Sequence, residues 1–530
     1  MNRSTRRQTR RQTRHQIRRT LLLPASLALL AGGCAIGEDY QRPTPPMPDA
    51  WRGVDAPAGQ GVTSDAADLS DWWMAFDDPA MVDLVKVALV NSPDLREAAG
   101  RVLEARYRRA ATAGERLPQV EADASYTRSR QSETIGDDGF AALGAGSTGG
   151  SAGGFAGGGF DPESDLFQAG LSANWELDLF GRIGRRVEAA DARVQSELAD
   201  FYAVRVSLAA EVGLAYVDVR SLQNRLSIAR QNADLQRRSL DLARARFDNG
   251  LSSELDVAEA LSNLQQTLAE IPTLTSDLQA AKNRLSLLTG RLPGAVDAEL
   301  ESETDAGVVP VPPTTVAVGV PTDLLRRRPD IRSAERDVAE AVASVSAARA
   351  DQYPRFSLGG TFGFASDDLD QLFDWDSRTF GIGPSVSWPI FQGGTLRALV
   401  KAEDAVTLQR VAAYERSVLS AMQETSDALT AYGQSRQRQA VLGEAVAAAR
   451  RAVEISDAQY RQGIIEFDRV LDAQRTQFLA EDAKALADAN VSINLIGLYR
   501  ALGGGWDAPI DDTDSPGTRP TTSPASRPRP

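Results

Sequence analysis

Histidine and cysteine are almost absent from this chain of 530 residues, where each occurs once, as His15 and Cys34. Because His15 lies in a segment that we expect to be removed, Ser-His-Asp and Cys-His catalytic sites, His/Cys zinc sites and intrachain disulfides are excluded. No stretch after residue 33 is an apolar run of the ~18 residues that a transmembrane helix needs. The remaining enzyme hypothesis is a carboxylate-based hydrolase, such as a glycosidase. It would use Glu176 and Asp178, about 7 Å apart on one face of a strand.

The N-terminus has the pattern of a secretory signal. Residues 1–19 carry eight arginines and no acidic residue, and an apolar run over 21–31 is followed by two glycines and Cys34. This order defines a secretory signal, and the final cysteine resembles the lipidation site of bacterial lipoproteins. We expect residues 1–33 to be removed and Cys34 to carry a covalent lipid that anchors the protein in the outer membrane. We expect no other cofactor and no metal. A signal peptide with an incidental cysteine is the alternative.

Acidic residues outnumber basic ones, 72 against 58. Removal of the eight N-terminal arginines shifts the formal net charge from −14 to −22. A chain this acidic, without a basic cluster, has little attraction for a phosphate backbone. We therefore expect no nucleic-acid partner.

The same motifs occur in both halves of the chain. Residues 91–96, Asn-Ser-Pro-Asp-Leu-Arg, recur at 327–332 as Arg-Arg-Pro-Asp-Ile-Arg. Phe-Asp-Asn-Gly at 247–250 likewise corresponds to Tyr-Arg-Gln-Gly at 460–463. A Gly-rich insertion at 136–160 accounts for the greater length of the first copy. The repeat predicts one architecture built twice.

Each copy predicts one shorter helix, two strands and two long helices. Apolar residues at intervals of three and four extend over segments of about 65 residues, which as helices would be about 100 Å long. We expect the shorter helices at about 79–117 and 322–353, and the long ones at about 183–247, 251–290, 395–460 and 464–502.

Strict alternation of apolar with small or polar residues marks the strands. Period-two alternation over about 10 residues is typical of a transmembrane β-barrel, although a half-buried sheet in a soluble protein has the same pattern. Four strands cannot close a barrel, whose smallest form has about eight, so several copies would have to contribute. The predicted strands are about 119–132, 166–179, 355–366 and 378–390.

These elements predict six segments along the chain. They are a signal peptide at 1–33, an anchor and linker at 34–70, repeat 1 at 71–290, an inter-repeat linker at 291–321, repeat 2 at 322–506 and a disordered tail at 507–530.

Several motifs together resemble the TolC-like outer-membrane factors, and among them the NodT-type lipoproteins of resistance-nodulation-division (RND) efflux systems. They are Gly-Glu-Asp-Tyr-Gln-Arg-Pro at 37–43, Trp-Trp-Met-Ala-Phe-Asp-Asp-Pro at 72–79, Trp-Glu-Leu-Asp-Leu-Phe-Gly-Arg at 175–182, Trp-Pro-Ile-Phe at 388–391 and the two Pro-Asp-Leu/Ile-Arg motifs. Glu38 stands where the family usually has proline. The resemblance covers residues 34 to about 506.

The resemblance implies a membrane α+β fold with an internal two-fold repeat. A homotrimer would form a 12-stranded outer-membrane β-barrel, with four strands from each protomer, continued by a long α-helical coiled-coil barrel in the periplasm. The protein would be no enzyme but a passive exit duct for small molecules, in a tripartite pump with a periplasmic adaptor and an inner-membrane RND transporter. The alternatives are the duct of an ATP-driven, type I-like exporter and a periplasmic coiled-coil lipoprotein scaffold.

The resemblance also assigns roles to particular residues. Asn249, Gly250, Gln462 and Gly463 would form hairpin tips that dock the adaptor, and the glycines would also serve as turn residues, which alone is the simpler explanation for them. Asp457 and Arg461 would gate the aperture, and their i,i+4 spacing also fits an ordinary helix ion pair. Four aromatic residues would lie where the barrel meets the membrane interface, or would simply pack against the strand-to-helix turn. They are Trp175, Phe180, Trp388 and Phe391.

Overall fold

The computed structural model describes residues 36–51, 61–65, 68–130, 163–301, 307–313 and 315–507. Cys34, the Gly-rich segment 136–160 and nearly all of the predicted tail lie outside these residues. The chain divides into two compact units. The first, the sheet unit, comprises Met1–Gln41, Glu104–Val194 and Asp337–Arg410; the second, the helical unit, comprises Arg42–Leu103, Gln195–Arg336 and Val411–Pro530.

The described residues form strands and α-helices in a mixed order. In chain order they are β1 Val62–Thr63, α1 Pro79–Asn91, α2 Pro93–Gly114, β2 Gln119–Arg130, β3 Glu163–Leu177, α3 Arg182–Asp248, α4 Glu254–Leu288, α5 Asp297–Glu301, β4 Val316–Ala317, α6 Leu324–Arg327, α7 Pro329–Ala350, β5 Arg355–Ser366, β6 Arg378–Ser387, α8 Thr395–Arg461 and α9 Phe467–Ala501.

Helices of equal length occur in the same order in both halves. Helices α2 and α7 have 22 residues each, α3 and α8 have 67, and α4 and α9 have 35. At 1.5 Å per residue, a helix of this greatest length is about 100 Å long. Among the described helices, none has a stretch long and apolar enough to span a membrane.

The single helices expected at 79–117 and 322–353 are wrong, because each is divided before a proline. Ser92, which precedes Pro93, has an extended ψ of 129° and separates α1 from α2. Arg328, which precedes Pro329, has a ψ of 117° and separates α6 from α7. The ring of proline clashes with a helical residue before it, whereas proline itself fits the first turn of a helix.

Four strands of the sheet unit form one antiparallel sheet in the order β2-β3-β5-β6. Within it Ala173 pairs with Val120 and with Gly360, and Gly360 pairs with Ile382, so one row crosses all four strands. Side chains alternate between faces along a strand, so this register collects the apolar positions on one face. That apolar face comprises Val120, Ala122, Ala124, Tyr126, Phe167, Ala169, Leu171, Ala173, Trp175, Leu177, Phe356, Leu358, Gly360, Phe362, Phe364, Phe380, Ile382, Pro384 and Val386.

Parts of the two predicted linkers pair with each other in the helical unit. Strand β1, from the linker expected at 34–70, lies parallel to β4, from the linker expected at 291–321. The buried indole of Trp51 donates a hydrogen bond to the carbonyl oxygen of Gly319 at 3.2 Å. These residues of the two predicted linkers therefore belong to the folded structure.

Candidate membrane sheet and hairpin ends

The edge strands of the sheet, β2 and β6, are exposed along their whole length. Large apolar side chains of the apolar face share this exposure: Phe380 is 77% exposed and Ile382 is 79% exposed. A long edge strand presents unpaired backbone donors and acceptors, which proteins normally cover or pair. An apolar patch of this size marks a surface that contacts lipid or another protein.

A pair of glycines brings β3 and β5 unusually close together. Gly170 lies opposite Gly363 in the register, on the small and polar face of the sheet. A Cβ atom at Gly363 would lie 2.7 Å from the carbonyl oxygen of Ala169 and 2.8 Å from Cα of Gly170. Glycine inside a strand often marks such a close backbone approach or a bend.

Three of the four predicted interface aromatics lie in contacts where strands meet helices. The indole of Trp175 donates to the carbonyl oxygen of Arg116 at 2.9 Å, and that of Trp388 donates to Gln352 at 3.2 Å. The ring of Phe180 lies 5.1 Å from that of Tyr353. Phe391, the fourth, is 89% exposed. Trp388 and Phe391 follow the end of β6, which is three residues shorter than the strand expected at 378–390.

The two carboxylates of the enzyme hypothesis are both engaged in structural contacts. Glu176 accepts hydrogen bonds from Arg182 at 3.0 and 2.7 Å. Asp178 accepts the backbone N–H groups of Ile183 and Gly184 at 3.1 and 2.6 Å, near the start of α3. An acidic side chain is stabilised at a helix N-terminus by the free N–H groups and the helix dipole. This arrangement explains both residues without catalysis.

The described chain begins beside this strand-to-helix turn. The N–H of Ile36, two residues after Cys34, donates to the carbonyl oxygen of Phe180 at 3.2 Å. Arg185, in the first turn of α3, donates to Asp39 at 2.9 Å. These contacts hold the segment that follows Cys34 against the start of α3.

The predicted hairpin tips are tight turns between α3 and α4 and between α8 and α9. Gly250 has a φ of +71° and Gly463 a φ of +72°, the left-handed conformation in which glycine is favoured. The amide of Asn249 donates to Ala245 at 2.6 Å, and the N–H of Gln462 donates to Ala458 at 3.3 Å. The expected turn role of the glycines is confirmed.

The two turns lie close to a shared apolar cluster of the helical unit. The guanidinium of Arg246 donates to the carbonyl oxygen of Tyr460 at 3.1 Å, and its carbon lies 4.6 Å from the centre of that ring. The hairpin-end cluster, which comes from all four long helices, comprises Ala233, Leu240, Ala243, Ala260, Leu264, Tyr460, Phe467, Val470 and Leu471.

Asp457 and Arg461 form the i,i+4 ion pair that their spacing predicts, with 2.8 Å between carboxylate oxygen and guanidinium nitrogen. The Asp457 side chain is half-buried and that of Arg461 is exposed. A surface pair of this kind stabilises a helix by about 0.3–0.5 kcal/mol. Its ring-like arrangement around an axis remains a prediction.

Glu481, about four helical turns into α9, was not predicted from the sequence and is one of the two buried carboxylates among the described residues. It accepts hydrogen bonds from Arg450 at 2.8 Å, Gln477 at 2.9 Å and Asn232 at 3.1 Å. Burial acts to raise the pKa of Glu481, but these hydrogen bonds outweigh it and hold the pKa below its ordinary value. In the sequence, the signal that could have indicated this buried carboxylate was a glutamate within a heptad pattern of apolar residues.

Comparison with known proteins decides the family. The sequence profile described as outer membrane efflux protein matches residues 84–291 and 320–504. The chain belongs to the outer membrane efflux protein family. The chain is 34% identical to the outer membrane protein OprJ of Pseudomonas aeruginosa over 482 residues, which are 91% of this chain and 95% of OprJ. It is also 34% identical to the solvent efflux pump outer membrane protein SrpC of Pseudomonas putida, over 91% of this chain and 98% of SrpC.

Solved structures agree with this assignment. The outer-membrane channel OprN aligns with a TM-score of 0.76 at 34% identity, over 89% of this chain and all of OprN. The open state of the Neisseria gonorrhoeae outer membrane channel MtrE aligns with a TM-score of 0.71 at 26% identity, over 90% of this chain and 99% of MtrE. The expected family, outer-membrane location and role as the exit duct of an efflux pump are confirmed. The family is one of export channels rather than enzymes.

Proposed function

We propose that three copies of this outer-membrane efflux protein assemble into one channel, in which each contributes four strands to a 12-stranded barrel. The proposal is supported above all by the exposed edge strands β2 and β6 at the two sides of a sheet with one apolar face. Closure between copies would pair both edges, which removes the unpaired backbone groups. A barrel also needs at least about eight strands, and the described part of one chain supplies four to this sheet.

The two faces of the sheet fit a membrane barrel. The apolar face would contact lipid, and the opposite face, with Glu121, Asp123 and many Ser, Thr and Gly residues, would line the lumen. The four strands have 12, 15, 12 and 10 residues, enough for the 9–11 residues that a tilted strand needs to cross a bilayer. The long helices of the three copies would then form the periplasmic part of the duct, as the resemblance implies.

Membership of the family supports a proposal for the partners and the cargo. The hairpin tips around Asn249, Gly250, Gln462 and Gly463 would receive a periplasmic adaptor, which links the duct to an inner-membrane RND transporter. Relatives are named for solvent, toluene and pyoverdine export, so we propose small organic molecules as cargo, with the transporter selecting among them. If an ATP-driven transporter is recovered together with the adaptor, the alternative of a type I-like exporter is favoured.

A lipid on Cys34 would anchor the chain beside the barrel. Support comes from the signal pattern and from Ile36, which is held against Phe180 at the strand-to-helix turn. Radiolabelled palmitate should be incorporated into the wild-type chain and not into the Cys34→Ser variant. Equal labelling of the two proteins would exclude Cys34 as the attachment site.

The assembly is tested by cross-linked gel migration of the outer-membrane fraction and by planar-bilayer conductance. We expect a species about three times the mass of the chain that conducts weakly. Ile382→Lys, on the apolar face, should strongly reduce this species, because a charge at mid-membrane depth costs about 2–4 kcal/mol. The matched control Ser385→Lys, on the opposite face of the same strand, should assemble normally. A salt-extractable monomer without conductance would instead favour the periplasmic scaffold.

A further inference from the structure

The two hairpins of the sheet, β2–β3 and β5–β6, correspond residue for residue. Gln119 pairs with Asn174 in the first hairpin, and Arg355 pairs with Ser387 in the second. Arg355 lies 236 residues after Gln119, which is also the interval between the two Pro-Asp-Leu/Ile-Arg motifs. Ser387 lies 213 residues after Asn174, which is also the interval between the glycines of the two hairpin turns. These two intervals therefore convert the register of one hairpin into that of the other.

The pairing between the hairpins can be converted in the same way. Within the chain β3 pairs with β5, where Ser172 lies opposite Thr361. The residue 213 positions after Ser172 is Ser385 in β6, and the residue 236 positions before Thr361 is Ser125 in β2. Strands β6 and β2 are the two edges of the sheet, and four strands cannot close on themselves. The equivalent pairing is therefore available only between two copies of the chain.

The early end of β6 fits a missing partner strand. Strand β3 continues to Leu177, whereas β6 ends at Ser387, three residues before Ile390, the equivalent of Leu177. The last three residues of β3 pair only with β5, because the pairing with β2 ends at Asn174. Their equivalents, residues 388–390, have no such second strand within the described chain. A strand along that edge would extend β6 to the length that its alternating sequence predicts.

The turn between β3 and α3 covers an apolar surface of the second repeat. The ring of Phe180 lies 5.1 Å from that of Tyr353 and 6.4 Å from that of Phe356. The equivalents of Tyr353 and Phe356, 236 residues earlier, are Leu117 and Val120. Both of these side chains are exposed. The surface that is covered in the second repeat is thus open in the first.

The turn between β6 and α8 carries side chains that suit this open surface. Ile390 and Phe391 are the two most exposed large apolar side chains of the described residues. Gly394, one residue before α8, has a φ of +86°, and Gly181, one residue before α3, has a φ of +77°. The two turns therefore enter their helices in the same left-handed conformation. Contact between two exposed apolar surfaces removes both from water, which is favourable.

The helices next to the edge strands show the same contrast between equivalent residues. Ala343 in α7 is 2% exposed, whereas its equivalent in α2, Tyr107, is 74% exposed. Val206 in α3 is buried, whereas its equivalent in α8, Leu419, is exposed. Helix α2 precedes the edge strand β2, and α8 follows the edge strand β6. Uncovered large apolar side chains on both helices are typical of a surface that contacts protein or lipid.

We propose that β6 of one copy pairs antiparallel with β2 of the next copy, with Ser385 opposite Ser125 and Ile390 opposite Val120. The apolar turn after β6 then covers the start of β2 in the neighbour, as the turn after β3 covers the start of β5 within one chain. This inference rests on the proposed function, because it concerns the closing contact of the proposed trimer, and it adds which residues meet there. The contact joins two different surfaces, so successive copies form a ring.

Introduced cysteines on the polar face of the sheet measure this register directly. Every double variant contains Ser385→Cys. It is combined with Ser125→Cys, the predicted partner, or with one of the matched controls Thr127→Cys and Ser129→Cys, two and four residues further along the same face. The Cα atoms of a disulfide are at most about 7 Å apart, and four residues span about 13 Å of strand. Cys34 is the sole native cysteine, and each single variant shows whether it forms any link.

Mild oxidation of the outer-membrane fraction should link the copies through the predicted pair. We expect Ser385→Cys with Ser125→Cys to give a covalent species about three times the mass of the chain, which reduction reverses. Its yield should exceed that of the Ser129→Cys control by at least about tenfold, because that control places the cysteines too far apart. A higher yield with either control would overturn the proposed register.

Wild-type protein tests the proposed function separately from the register. Non-specific cross-linking of the wild type should give trimers. Wild-type trimers together with no disulfide in the predicted pair would overturn the register and leave the trimeric channel in place. A wild type that stays monomeric would contradict the trimeric channel, and the register would fail with it.

Discussion

The indole N–H of Trp175 donates a hydrogen bond of 2.9 Å to the carbonyl oxygen of Arg116. Trp388 makes the equivalent bond to Gln352 at 3.2 Å. In both halves, the acceptor lies two residues before the proline that precedes a strand. Each tryptophan thus ties the end of one strand to the segment that leads into its neighbour.

Trp175→Phe should lower the temperature at which the assembled species dissociates on gels. The variant keeps an aromatic ring but loses the indole N–H and therefore the hydrogen bond, which is worth about 0.5–1.5 kcal/mol. The matched control is Trp375→Phe, because the Trp375 ring contacts Arg378 instead. An effect of equal size in both variants would mean that the hydrogen bond to Arg116 is unimportant.

Gly363→Ala should impair barrel assembly much more than Gly383→Ala. A methyl group at Gly363 would meet the backbone of β3 at 2.7–2.8 Å, whereas no atom of the described residues of the same chain lies within 4 Å of one at Gly383. Overpacking of this kind typically costs about 1–3 kcal/mol. The assembled fraction in the outer membrane measures the difference. Similar assembled fractions of the two variants would show that β3 and β5 can move apart without a measurable loss of stability.

Glu481→Gln should destabilise the protein at neutral pH by about 1–2 kcal/mol, and less as the pH falls. The pKa of Glu481 is lower in the folded protein than its ordinary value. Its ionised form therefore stabilises the fold above that ordinary value, and this contribution is lost as the pH falls through the folded pKa. Urea unfolding at pH 7 and pH 3.5 measures it. A difference between wild type and variant that grows on acidification would contradict the prediction.

Asp457→Ala should raise single-channel conductance or lower cation selectivity in planar bilayers. Three carboxylates around a pore axis attract cations and narrow the opening. The control is Glu454→Ala, on the same helix, since Glu454 pairs with Arg451 in an exposed ion pair at 2.9 Å. Identical conductance and selectivity in wild type and Asp457→Ala would leave this residue with only its contact to Arg461.

The strands and long helices could be predicted because their signals are local. Alternation along 166–179 predicted β3, which runs from Glu163 to Leu177. Glycines at 250 and 463 marked the turns, since positive φ favours glycine. The helix breaks at Ser92 and Arg328 were also encoded locally, by the prolines that follow them.

The sequence by itself determined the long helices, the four strands of the antiparallel sheet with their apolar period, and the family, because these depend on neighbouring residues and on motif order. Only the tertiary structure decided what distant residues do together. Pairing of β2, β3, β5 and β6 placed the apolar rows on one face. Helix packing joined Asn232 to Glu481. The contact between Asn232 and Glu481 links residues 249 positions apart, and no local periodicity specifies which of many similar polar side chains will meet.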